Sequence, residues 1–254
     1  MESVQNLKKR IKSVGNINKI TKAMELVAAT KMRKAQEVAL GSRPYAFTAL
    51  DLLASLSLLE KKDLPALLKQ RKVKKVLFVL VASDKGLAGS FNSSVFKKFE
   101  QHMERDKEKF KDEEKFFVAV GEKAFAYLSK KNTTTHSRMV LKKFVQVGDH
   151  TTPEDVEPLT QFIVSGYLEK KWDRVIVVSM HFVSALRQEP HVRRILPVQY
   201  DHLKETIEEL IPKTGKFSNM IVGNGKKEDA SDYLIEPSPQ FVLQDLAKHL
   251  LFMQ

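Results

Sequence analysis

The first forty residues constrain the chain most. Leu7, Ile11, Val14, Ile17, Ile20, Met24, Val27, Met32, Ala35 and Val38 form an apolar seam with a period near 3.5. That spacing marks one face of a coiled-coil helix, whereas a strand would alternate every second residue. The stretch NINKITKAMELVAATKMRKAQ, Asn16–Gln36, contains neither proline nor glycine. At 1.5 Å per residue, forty helical residues make a rod about 60 Å long, more than a compact domain of this mass needs. Gly15 is a soft spot within it. Gly41 and Pro44 in LGSRPYAF end it, because Pro44 cannot donate to the preceding turn and disfavours helical geometry at Arg43. AFTALDLLASLSLLEKK then reads as a second helical stretch, ending near Lys61.

The rod is slim and charged. Ala23, Ala28, Ala29, Ala35 and Ala39 keep it narrow, and Lys9, Arg10, Lys12, Lys19, Lys22, Lys31, Arg33 and Lys34 ring it with charge. An ordinary amphipathic helix would also show a solvated basic face, but the small residues favour a rod threaded through a protein sleeve. The whole chain agrees in sign, with 43 basic and 31 acidic side chains and a formal charge of +12. Such a balance suits an acidic partner, whether nucleic acid, anionic membrane or protein. Aromatic groups that could stack on bases are absent from the rod until Tyr45.

Several classes are excluded or disfavoured. The 254 residues include no cysteine, so disulfides, thiolate metal sites and cysteine nucleophiles do not arise. The longest wholly apolar stretch, Val76–Ala82, falls far short of the roughly 20 residues of a membrane-spanning helix. The N-terminus lacks the layout of a secretory signal, and helical patterning from almost Met1 argues against a transit peptide.

From Arg71 the pattern changes. VKKVLFVLVAS is a buried strand, SDKGLAGS a glycine-bearing loop, and FNSSVFKKFEQHMERDKEKF a helix. KFFVAV is the next strand, GEKAFAYLSKK a helix and LKKFVQV a further strand. TPEDVEPLTQFIVSGYLEKK is helical, with Thr152 as N-cap and Pro153 at the first helical position. WDRVIVVSMHF is a strong strand, and HVRRILPVQY adds an antiparallel one. KTGKFSNMIVGNGKKEDASD reads as a loop. SPQFVLQDLAKHLLFMQ restarts a helix, with Ser238 as N-cap. Strands alternating with helices imply a largely parallel sheet covered by helices.

The loop SDKGLAGSFN invites a nucleotide reading. It follows a strand, opens a helix, and offers backbone N–H groups and Lys85 to a phosphate. It nevertheless lacks the P-loop order and retains only G-x-x-G of the dinucleotide fingerprint. Glycines at a strand-to-helix turn are required by geometry alone. His102, His136, His150, His181, His191, His202 and His249 show no metal-ligand spacing, and there is no G-x-S-x-G elbow. No catalytic residue, metal ligand or cofactor is expected.

Four blocks carry a resemblance. RIKSVGNINKITKAMELVAATKMRKAQ, SRPYA, SDKGLAGSFN and YLIEPSPQFVL, in this order and spacing, resemble the gamma subunit of F-type ATP synthases. Ser90 stands where many members have a second glycine. The resemblance implies a fold class: α/β, with a long N-terminal helix forming half of an antiparallel coiled coil, plus a Rossmann-like domain. The expected boundaries are residues 1–62 for the N-terminal coil helix, 71–236 for the α/β domain, and 238–254 for the start of the C-terminal coil helix. The family's long returning helix extends beyond what these 254 residues supply, so a truncation or fragment is expected.

By the same resemblance, the chain is a non-catalytic central-stalk rotor subunit of a proton-translocating ATP synthase. Its expected partners are three alpha and three beta subunits, an epsilon subunit and the c ring, with one copy per complex and no nucleic acid. Lys19, Thr21, Lys22 and Met24 fall in the segment expected to touch the acidic loops of the beta subunits. Asp84, Lys85, Gly86, Gly89 and Asn92 match the family's strand-to-helix loop signature. The leaderless start adds an expectation of a peripheral position on the cytoplasmic face of a bacterial inner membrane. Two other readings stay open: a nucleotide-binding α/β enzyme and a basic nucleic-acid-binding module.

Overall fold

The computed structural model describes residues 3–41, 48–49, 52, 65–105, 113–130, 139–145, 152–184, 187–199, 236 and 238–253. A single helix, α1, spans Val4–Gly41. Its 38 residues correspond to a rod of about 57 Å. The helix runs through Gly15 without a break. Every residue from Val4 to Val38 is exposed except the half-buried Gln36. The predicted seam therefore lies bare: Ile11 is 65 % exposed, Ile17 56 % and Ile20 59 %. Its many Ala, Leu, Met, Lys, Arg, Gln and Glu residues favour helix, while tertiary burial, which usually stabilises such a helix, contributes almost nothing here. The opening rod is not folded back into the sheet domain. Thr48, Ala49 and Leu52 are helical too; the remainder of the expected second helical stretch and Pro44 lie outside the described residues.

The sheet follows. β1 is Lys75–Val81, β2 Glu114–Val120, β3 Val140–Phe144, β4 Arg174–Ser184 and β5 Arg187–Leu196. The spatial order is β3-β2-β1-β4-β5. β1 pairs in parallel with β2 and β4, β2 pairs in parallel with β3, and β5 runs antiparallel to β4. The antiparallel strand begins at Arg187, four residues ahead of the expected His191, because the ladder with β4 continues out to the Ser184–Arg187 pair.

Helices cover both faces: α2, Phe91–Arg105; α3, Glu122–Lys130; α4, Pro153–Leu168; and α5, Pro239–Met253. β1 shows why two layers are needed. As a central parallel strand it is apolar on both sides. Leu77 and Val79 point into one core with Tyr167, Trp172, Leu243 and Ala247, while Val76, Phe78 and Leu80 point into the other with Val95, Phe99 and Leu128. The expected caps form. The Asp155 carboxylate accepts from the Thr152 backbone N–H at 2.9 Å, and the Ser238 hydroxyl accepts from Phe241 N–H at 3.3 Å.

α5 buries Leu243, Ala247 and Leu251 in the same core as Ala49 and Leu67. Its described face thus seats on the sheet domain and the chain leading into it, while α1 keeps its own seam open. The expected loop KTGKFSNMIVGNGKKEDASD lies outside the described residues.

Candidate functional site

The sequence singles out two surfaces, and they lie on different elements, α1 and the loop after β1. On α1, Lys19, Thr21, Lys22 and Met24 are all exposed. The Thr21 hydroxyl lies 3.0 Å from the carbonyls of both Ile17 and Asn18, so it bonds its own helix and not a neighbour. Lys19 and Lys22 are one turn apart and share a face. Met24, 48 % exposed, adds a pliable apolar contact to that basic stretch. Such a surface can meet a carboxylate-bearing partner, with exposed ion pairs that re-form easily because each contributes only about 0–1 kcal/mol.

The second surface is the loop at the C-terminal end of β1. Strand order reverses between β1 and β4, which makes this the crevice where open α/β sheets usually take ligands. Here the loop is held by its own side chains. The Ser83 backbone N–H donates to Asn92 Oδ1 at 3.0 Å, and Asn92 Nδ2 donates to Ser83 Oγ at 2.8 Å. The Ser83 hydroxyl donates to the Lys85 carbonyl at 2.6 Å. Asp84 Oδ1 accepts from the Glu122 backbone N–H at 3.0 Å, capping α3. A carboxylate seated at the start of α3 complements the positive end of that helix's dipole.

Glycine is required close by. Gly121 adopts φ +92°, and a Cβ there would lie 2.1 Å from the Ala82 carbonyl oxygen. Gly89 also has positive φ, at +56°, while Gly86 faces open space. Leu87, with φ 64° and 92 % exposure, holds the loop tip in solvent beside the exposed Lys85. Among the described residues no cluster of three or more histidines, aspartates or glutamates is placed to hold a metal ion. Nor, among them, is any helix long and apolar enough to cross a membrane.

One constellation escapes a reading of the sequence. Arg71, in the run ahead of β1, stacks its guanidinium 4.1 Å from the Tyr167 ring centroid. Its Nη2 donates to the carbonyls of Tyr167, at 2.9 Å, and Trp172. Its Nε lies 2.8 Å from Asp173 Oδ1. A lone arginine among lysines gives no signal of this in sequence.

A bare basic helix of 38 residues, carried by a sheet domain covered on both faces by helices, defines a class. It is that of a subunit built to present a stalk to other proteins. A family model described as ATP synthase matches residues 3–254. The ATP synthase gamma chain of Prochlorococcus marinus (strain MIT 9211) is 33 % identical over 256 residues, covering 97 % of this chain and 79 % of the relative. That of Moorella thermoacetica is 31 % identical over 246 residues, covering 97 % and 76 %. Among solved structures, a chain in the central stalk and c-ring structure of the Tetrahymena thermophila mitochondrial ATP synthase shares the fold. Its TM-score is 0.55 at 19 % identity, covering 92 % of this chain and 90 % of that one. The chain belongs to the ATP synthase gamma chain family.

Proposed function

We propose that this chain is the central-stalk rotor subunit of a proton-translocating F-type ATP synthase. It would sit on the cytoplasmic face of a bacterial inner membrane, peripheral to it. Rotation of a c ring would turn the chain within a ring of three alpha and three beta subunits, with an epsilon-type subunit at its base. The chain makes and breaks no bonds itself. Residues 1–62 supply one helix of a coiled coil, residues 71–236 form the α/β base, and residues 238–254, seated on that base, are the start of the returning helix. Lys19, Thr21, Lys22 and Met24 are the proposed contacts with acidic loops of the beta subunits.

The observation that carries this reading is α1, 38 residues long and exposed from Val4 to Val38 but for Gln36. A bare apolar seam of this length calls for a protein partner. Lysines beside it select an acidic one. The loop's departure from the P-loop order disfavours the enzyme reading, and the aromatic-free rod disfavours nucleic acid.

Affinity purification from cells expressing the tagged chain tests the proposal. Alpha and beta subunits are expected in threefold excess over the tagged chain. One copy of this chain per beta subunit, or saturable ATP turnover by the chain alone, would overturn it.

A further inference from the structure

We infer that Arg71 is a positioning residue that sets the torsional stiffness between the chain's N-terminal helical part and its sheet. The inference rests on the rotor reading above. The described connector, residues 65–74, is irregular, yet polar and apolar contacts pin it along its length. Leu67 is fully buried, and its carbonyl accepts from Val198 N–H at 2.8 Å. The Tyr167 hydroxyl reaches the Lys69 carbonyl at 3.4 Å. Arg71 lies on the Tyr167 ring, bonds two carbonyls at the α4–β4 junction and pairs with Asp173. Asp173 Oδ2 in turn accepts from the backbone N–H groups of Lys74, at 3.0 Å, and Lys75, at 3.1 Å.

The geometry explains why arginine stands here. A planar fork on an aromatic face can be held against twisting about its own stem, whereas an ammonium is a rotatable point charge. The partners of Arg71 lie at the end of α4 and in the run into β4. Its guanidinium therefore locks the incoming backbone to both at once. Any twist passed along the covalent chain between the N-terminal helices and β1 goes through this junction.

The test uses the assembled complex with its alpha and beta subunits immobilised. Because the chain has no cysteine, Lys97→Cys on the exposed face of α2 gives one attachment point for a bead. Angular fluctuation of the bead during a catalytic dwell reads rotor stiffness. Arg71→Lys, which keeps the charge opposite Asp173 but loses the fork, is expected to broaden the angular distribution. Val178→Ala, in the core on the far face of the sheet, serves as a comparison of matched or greater loss in melting temperature. It is expected to leave the distribution unchanged. Equal broadening by both variants, or none by Arg71→Lys, overturns the inference. Failure of the wild-type chain to enter such a complex would instead overturn the rotor reading.

Discussion

The Asp84 carboxylate accepts a hydrogen bond from the Glu122 backbone N–H at 3.0 Å, joining the β1–α2 loop to the start of α3. The residues are 38 positions apart in sequence. Removing this cap with Asp84→Ala is expected to destabilise the fold by about 1 kcal/mol, with Asp84→Asn largely sparing it. Urea unfolding measures the difference, and an unchanged midpoint for the alanine variant would refute the capping role.

Gly121 is held by both conformation and space, at φ +92° with the Ala82 carbonyl in the path of a Cβ. Gly121→Ala is expected to destabilise by at least about 2 kcal/mol, through backbone displacement and a strained left-handed alanine. Gly86→Ala, with nothing within 4 Å, is expected to stay within about 0.5 kcal/mol of wild type. Thermal unfolding of the pair checks the contrast.

Lys19 and Lys22 are exposed, so reversing them should leave the isolated chain as stable as before. In the assembled complex, Lys19→Glu with Lys22→Glu is expected to slow ATP-driven rotation without stopping it. Each exposed pair contributes about 0–1 kcal/mol. On the rotor reading, the defect should shrink as salt rises, since screening would weaken the proposed pairs in the wild type as well. Rotation rate against ionic strength is the measurement.

Burial pushes the Tyr167 phenol above its ordinary range, Asp173 adds to the shift, and Arg71 opposes it. A raised folded-state value means that the folded protein favours the neutral phenol. The associated stability is complete below about pH 10 and is lost as pH rises through the folded value. Tyr167→Phe cannot ionise. Wild type should therefore lose stability relative to this variant above about pH 10, and a difference independent of pH would contradict the assignment.

α1 has no burial to slow its opening from Val4 to Ala35. Its amides are expected to exchange with solvent far faster than those of β1, which is buried at five of seven positions. Hydrogen exchange on the isolated chain, repeated after assembly, should show protection appearing along α1 only in the complex.

Patterning makes most of this architecture legible. Val76 to Leu80 read as a central strand, and Thr152–Pro153 and Ser238–Pro239 announce their helices by cap chemistry. The seam of α1 is plain because its period persists for many turns. Contacts set by tertiary geometry are hidden. The SDKGLAGSFN loop looks like a phosphate loop because glycines at a strand-to-helix turn serve backbone geometry and anion binding alike. Arg71 sits within a basic run that reads as solvated charge, and its partners Tyr167 and Asp173 lie about a hundred residues away. The destination of α5 is hidden too, since Leu243, Ala247 and Leu251 would suit a coil partner or the sheet domain equally well.

The bareness of α1 has a cellular consequence. A helix that buries no side chain from Val4 to Ala35 has little tertiary packing to oppose local opening, and a protease acts on the opened segment. On the rotor reading, a chain without partners is expected to be cut along α1 first, and assembly to shield it.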